Sequence, residues 1–184
     1  MPKKALATAQ TGAIYLELDG QLFPLVTCTL PDIVWDIAEQ SAGAAVGLVR
    51  PGVLKLGDLA IGFAPGQMPA LAGWVDEIMV GKVRQLDMSV VRADVNGKPR
   101  ERIELKGCLP VELRFPQCDA AGKNPYLVEA IFRPESIAGG AAGEPVKPGV
   151  SGRQKKMLAS NFVVSVGELP TGRVVRVAAF TLRR

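Results

Sequence analysis

The chain has 184 residues, enough for one domain with a real apolar core and for a second only if it is very small. Apolar residues make up 48% and charged residues 22%, a globular composition that argues against global disorder. The chain contains no His, so the commonest general base, zinc ligand and triad partner are all missing, and catalysis would have to rest on carboxylates, Lys or Cys. The net charge is +4, with much of the excess in Lys3 and Lys4, in Arg153, Lys155 and Lys156, and in Arg183 and Arg184. Basic segments of this kind touch phosphate-rich surfaces or serve as solvated, flexible termini. Cys28, Cys108 and Cys118 form no C-x-x-C pair and read as buried thiols of a reducing compartment. Residues 1–10 lack the apolar core of a secretory signal, and no stretch approaches the ~20 apolar residues of a spanning helix. The expectation is a protein made in the cytoplasm without a signal peptide and with no membrane partner.

In chain order, Ile14, Leu16 and Leu18 alternate with Tyr15, Glu17 and Asp19, and Asp19-Gly20 turns the chain into 22–30, a hairpin. Residues 33–40 are ambiguous between strand and helix. Residues 41–52 are small, Gly-rich and closed by Arg50-Pro51-Gly52, which reads as a loop. Residues 53–63 read as one strand with a bulge near Gly57. Pro69 and the stripe Leu71, Trp74, Val75, Ile78 and Met79 predict a helix over 69–81, stopped at Gly81, with Trp74 as a core anchor. Leu86, Met88 and Val90 then face one way, Asn96-Gly97 turns the chain, and 102–106 returns. Gly107 and Pro110 are expected to interrupt the ladder before Val111, Leu113 and Phe115 resume it. Residues 126–133 form another strand with apolar residues on both faces except Glu129. Residues 138–156 are Gly/Ala/Pro-rich and read as a linker, and 157–184 as a C-terminal β-hairpin built from strands at 162–166 and 173–182.

No catalytic motif emerges. Every Gly-Lys fails the phosphate-loop pattern, at Gly81-Lys82, Gly97-Lys98 and Gly122-Lys123 alike, and G-x-G-x-x-G and G-x-S-x-G are absent. Asp76-Glu77 reads as a solvated pair, and Cys118 has no His to activate it and an acidic neighbour, Asp119. No catalytic, cofactor-binding or metal-binding residue is therefore expected, no cofactor is implied, and the chain does not read as an enzyme. A basic β-barrel that binds nucleic acid is the alternative function. It is weakened because only ten residues are aromatic and those such as Phe115 and Phe132 fall on core positions.

The order and spacing of several segments resemble the phage-type tail tube protein family. Its members build the inner tubes of contractile phage tails and contractile injection systems and are similar to type VI secretion tube proteins. The resemblance runs from Gly12 to Ile137. It begins with the extended segment 23–30 and continues through Arg50-Pro51-Gly52-Val53-Leu54-Lys55-Leu56-Gly57-Asp58-Leu59. Leu71-Ala72-Gly73-Trp74 is similar to the family's Trp-bearing helix, and Cys108-Leu109-Pro110-Val111-Glu112 to its Trp-Pro-Val step, with Leu109 where the family usually has Trp. Asn124 to Ile137 is similar to its last strand and acidic exit. Residues 138–184 follow the family's usual end.

The resemblance implies a mainly β fold, an antiparallel β-sandwich or small barrel with one packed helix, as a tail-tube-like domain over 1–137. It implies a structural subunit of the inner tube, or of a tube-initiating ring near the baseplate. Its partners would be other copies of itself in a hexameric, stacked ring, together with neighbouring tube, baseplate or sheath proteins. The particle would be a virion tail or an injection system, with DNA or protein cargo passing through the lumen. The loop over 41–52 would order only against the next ring.

Overall fold

A computed structural model of the chain describes residues 13–40, 48–64, 66, 76–77, 80–82, 84–94, 96–141, 157–168 and 171–183, with backbone alone at 37–40 and 48–51. Short alternating apolar runs separated by turn residues become strands: β1 (Ala13–Leu18), β2 (Gln21–Leu25), β3 (Thr27–Thr29), β4 (Ile33–Gln40), β5 (Leu48–Leu56), β6 (Leu59–Phe63), β7 (Leu86–Ala93), β8 (Pro99–Phe115), β9 (Cys118–Asp119), β10 (Val128–Arg133), β11 (Ser136–Gly140), β12 (Arg176–Val177) and β13 (Phe180–Arg183). All described pairings are antiparallel.

The main sheet runs β2-β1-β7-β8-β10-β6-β3. Its two ends are one piece of chain, because only Val26 separates β2 from β3 and its N–H donates to the Gly62 carbonyl at 2.8 Å. The sheet therefore closes on itself as a small antiparallel barrel, which removes the open edges a flat sheet would carry. Closure needs a close approach. A side chain at Gly62 would run into the Thr27 hydroxyl, so only glycine lets β3 lie against β6 there.

The inward positions fill the barrel. Leu16, Leu18, Leu59, Ile61, Phe63, Leu86, Met88, Val90, Leu105, Cys108, Leu113, Val128, Ala130 and Phe132 form one buried cluster. On the opposite face of β1 and β7, Tyr15, Val91 and Ala93 are buried as a second, smaller cluster with Leu22 against it.

The backbone of the barrel is β8. It runs unbroken through Gly107 and Pro110, where the sequence pattern predicts an interruption. Two irregularities replace the expected breaks. At Gly107 the chain adopts φ +62 and the register with β7 shifts, and near Val111 the register with β10 shifts. Each adds one residue, so the inward set moves from Leu105 to Cys108 and then to Leu113. The first half of β8 thus pairs with β7 and the second half with β10. The Gly107 bulge is fastened by its own N–H to Asp87 Oδ1 at 2.9 Å and by the Glu135 N–H to the Lys106 carbonyl at 3.0 Å.

Three further expectations change. The ambiguous 33–40 is a strand, and 48–52, expected as part of a loop, is the start of β5. The single bulged strand expected over 53–63 is two strands of different sheets, β5 pairing with β4 and β6 with β3 and β10. A local pattern cannot tell a bulge from a corner, and Gly57-Asp58 is the corner. The C-terminal hairpin does not form. Residues 162–166 are not a strand, and β12 and β13 pair with β9 and β8 instead of with each other. The helix expected over 69–81, including Trp74, falls largely outside the described residues, of which Asp76 and Glu77 are helical. The linker over 138–156 also lies largely outside them.

Candidate assembly surface

Chemistry for turnover is sparse. Cys108 is buried in the barrel and Cys28 and Cys118 are half-buried, all three free. Desolvation pushes the Cys28 thiol up to about 11 and the Cys108 thiol up to about 12, which keeps both protonated and poorly nucleophilic at neutral pH. Among the described residues no three His, Cys, Asp or Glu side chains gather as a metal site, and no helix is long and apolar enough to cross a membrane. One open groove of about 200 Å³ lies over Glu17, Asp19, Asp87, Glu104 and Lys106. It is smaller than the roughly 300–1,000 Å³ of an ordinary ligand site.

The arginines on β7, β8 and β10 are committed to neighbours. Arg92 pairs with Glu101, Arg100 with Asp94, Arg102 with Glu17, and Arg133 makes a two-pronged contact with Asp58 at 2.8 and 3.0 Å. Arg114 bridges Glu112 and Glu129. Among the described residues these cations are neutralised within the fold and form no continuous phosphate-tracking stripe.

What remains open is apolar surface and strand edge. The hairpin β4–β5 forms a two-stranded sheet of its own, separate from the barrel. Ile33 lies opposite Leu56 and Trp35 opposite Leu54 on one face, with Val34 opposite Lys55 on the other. Trp35 is 58% exposed and Val53 72%, and Ile33, Val34 and Leu54 are exposed as well. The Lys55–Asp36 ion pair at 2.7 Å is the polar decoration of that second face. Two-stranded hairpins are marginal in water, and an apolar one on both faces needs cover. Arg50-Pro51-Gly52, the segment singled out in the sequence, sits within β5 of this hairpin.

Two further edges accompany it. β11 continues β10 along the first half of β8, and β13 lies against the second half on the side that β7 leaves free. Among the described residues, β11 and β13 each pair with β8 alone. The barrel therefore presents one unpaired edge on each side of its longest strand.

No family model matches the sequence, and no curated protein matches it. Solved structures do match the fold. One is a chain of the sheath/tube terminator of PVC, an extracellular contractile injection system, in the extended state, at TM-score 0.61 and 16% identity, covering 77% of this chain and 100% of that one. This chain has the fold of contractile-system tube proteins. A chain of the PVC sheath-tube complex matches at TM-score 0.61 and 16% identity over 76% of this chain and 93% of that one. A chain of the anti-feeding prophage baseplate matches at 0.61 and 11% over 77% and 99%. The tube-like β fold expected from the sequence is thus present. The apolar exposure of β4 does not follow from residues 33–40 alone, whose pattern is ambiguous between helix and strand. Its alternation of Ile33, Trp35 and Ile37 was the available signal.

Proposed function

We propose that this chain is a structural, non-enzymatic subunit of a contractile injection system or contractile phage tail, in the inner tube or in a ring at its baseplate end. Copies assemble as a closed hexameric ring through heterologous contacts, and rings stack into a conduit for DNA or protein cargo. The chain is made in the cytoplasm and joins the particle by assembly. The observation that carries this reading is the separate β4–β5 hairpin, apolar on both faces and uncovered, on a barrel of tube-protein fold. Burying Trp35, Val53 and their neighbours against another subunit recovers hydrophobic free energy at roughly 25 cal/mol per Å². Unlike edges such as β11 and β13 suit head-to-tail pairing, which closes into a ring when the rotation allows.

The test is the mass of the full chain across a concentration series. Replacing Trp35 and Val53 by Ser should shift the population toward monomer without changing the barrel's thermal midpoint. Assembly unaffected by these substitutions would remove the hairpin from the interface.

A further inference from the structure

Residues 157–183 lie along the barrel as a strap, with the Ala159 N–H donating to the Asn124 carbonyl at 2.9 Å, and β13 at its end covers the second half of β8. The first half is covered by β11, and among the described residues no strand lies on the outer side of β11 itself. A bare strand edge carries outward N–H and C=O groups that accept another strand, and edges that stay bare are blunted by Pro, by Lys or by shortness. β5 carries Pro51 and Lys55, and β13 is four residues long and ends on Arg183. β11, Ser136-Ile137-Ala138-Gly139-Gly140, holds no charge and no Pro over five residues. Its two sides differ. Ile137 and Gly139 lie opposite Leu105 and Ile103 on the core side, and Ser136 and Ala138 lie opposite Lys106 and Glu104 on the outer side. Beside Gly139 the space is open, since a side chain there would meet nothing within 4 Å.

We infer that β11 is the acceptor edge for β4 of a neighbouring copy of the same chain. The inference rests on the assembly reading above and names its contact. β4 is the matching edge: it lacks Pro, Gly and Lys, and its exposed start has the same two-sided pattern. Ile33 and Trp35 share one side with Leu56 and Leu54, and Val34 shares the other with Lys55. Laid parallel to β11 with Trp35 beside Gly139, β4 brings Ile33 and Trp35 onto the side of Ile103, Leu105 and Ile137, where the Trp ring fills the open space. A slip of one residue would turn Trp35 to the outer side, so the pattern fixes the register. The same placement sets Asp32 beside Ser136 and within reach of Lys106. These two opposite charges are exposed and make no ion pair among the described residues. Within one molecule, among the described residues, β4 pairs with β5 alone and β11 with β8 alone. Because donor and acceptor edges differ, each contact leaves one of each kind free, and association passes from copy to copy.

The contact is tested by replacing Trp35 with the photo-crosslinker p-benzoylphenylalanine in the full chain, mixing it with an excess of unmodified ¹⁵N-labelled chain, and irradiating the assembled fraction. Mixed-isotope crosslinks that map to residues 136–140 and 103–105 are the expected result. Crosslinks mapping elsewhere overturn the contact and leave the tube reading standing, whereas no assembled fraction in the unmodified chain removes both. Charge reversal is the second arm. Lys106→Asp and Asp32→Lys should each raise the concentration needed for assembly roughly threefold, and the two reversals in one chain should restore it. Single variants that assemble unchanged, or a double variant no better than the singles, overturn the pairing.

Discussion

At Gly107 the chain sits at φ +62 inside the longest strand, with Asp87 and Glu135 closing around it. A side chain there would face both left-handed strain, on the order of 1–2 kcal/mol, and the Glu135 carboxylate. Gly107→Ala is expected to cost about 2 kcal/mol in denaturant unfolding, and a loss under 0.5 kcal/mol would show that the bulge is not what bends β8. The buried thiols give a second prediction at this scale. Cys108 is held near 12 and Cys28 near 11 in the folded protein, above the usual 9. Both groups are protonated in either state below pH 9. Above it the unfolded chain loses these protons first, so stability falls as pH rises from 9 through 11 and toward 12. Denaturant midpoints measured at pH 8 and pH 10.5 should diverge, and Cys108→Ala should narrow that divergence even though it starts from lower stability.

The elements divide by how much of their pairing was local. The hairpins at Asp19-Gly20 and Asn96-Gly97, with inward Leu86, Met88 and Val90, were legible because turn residues and period-two alternation lie side by side in sequence. The corner at Gly57 and the passage of β8 through Pro110 were not, since each is decided by which distant strand lies alongside: β10 pairs Phe132 with Pro110, on the chain's other flank. The C-terminal strands were found only in part. Phe162, Val164 and Val166 fall at alternate positions as strand residues do, yet 162–166 forms no strand, and Val163 and Val166 face solvent. What fastens the strap is β13, and there Glu112 accepts from both Arg114 and Arg183. Those hydrogen bonds, Arg114 first, hold the Glu112 carboxyl below its ordinary range. Glu112→Ala should accelerate hydrogen exchange at residues 180–183 while β1, β7 and β10 keep their protection. In the intact chain the same opening should begin as pH falls through the depressed pKa of Glu112, because a carboxyl depressed on folding stabilises above its unfolded value and loses that contribution on protonation. Uniform exchange across the chain in the variant would mean that β13 is part of the barrel's cooperative unit.

On the scale of the whole molecule, the fold was legible in the order of weak segments, from 23–30 through Arg50-Pro51-Gly52 to 124–137, where no single segment sufficed. The assembly surface was less so. A closed barrel hides its own edges, so the exposed features that matter, the β4–β5 hairpin and the edges of β11 and β13, stand out only once the core is assigned and what it leaves over is visible. The central claim is that these leftovers are interfaces between copies. The most direct measurement is the mass of the full-length chain in solution over a concentration series, with negative-stain images of the same samples. Six-fold rings or stacked tubes that grow with concentration are the expected result. A strict monomer at every concentration would contradict the account.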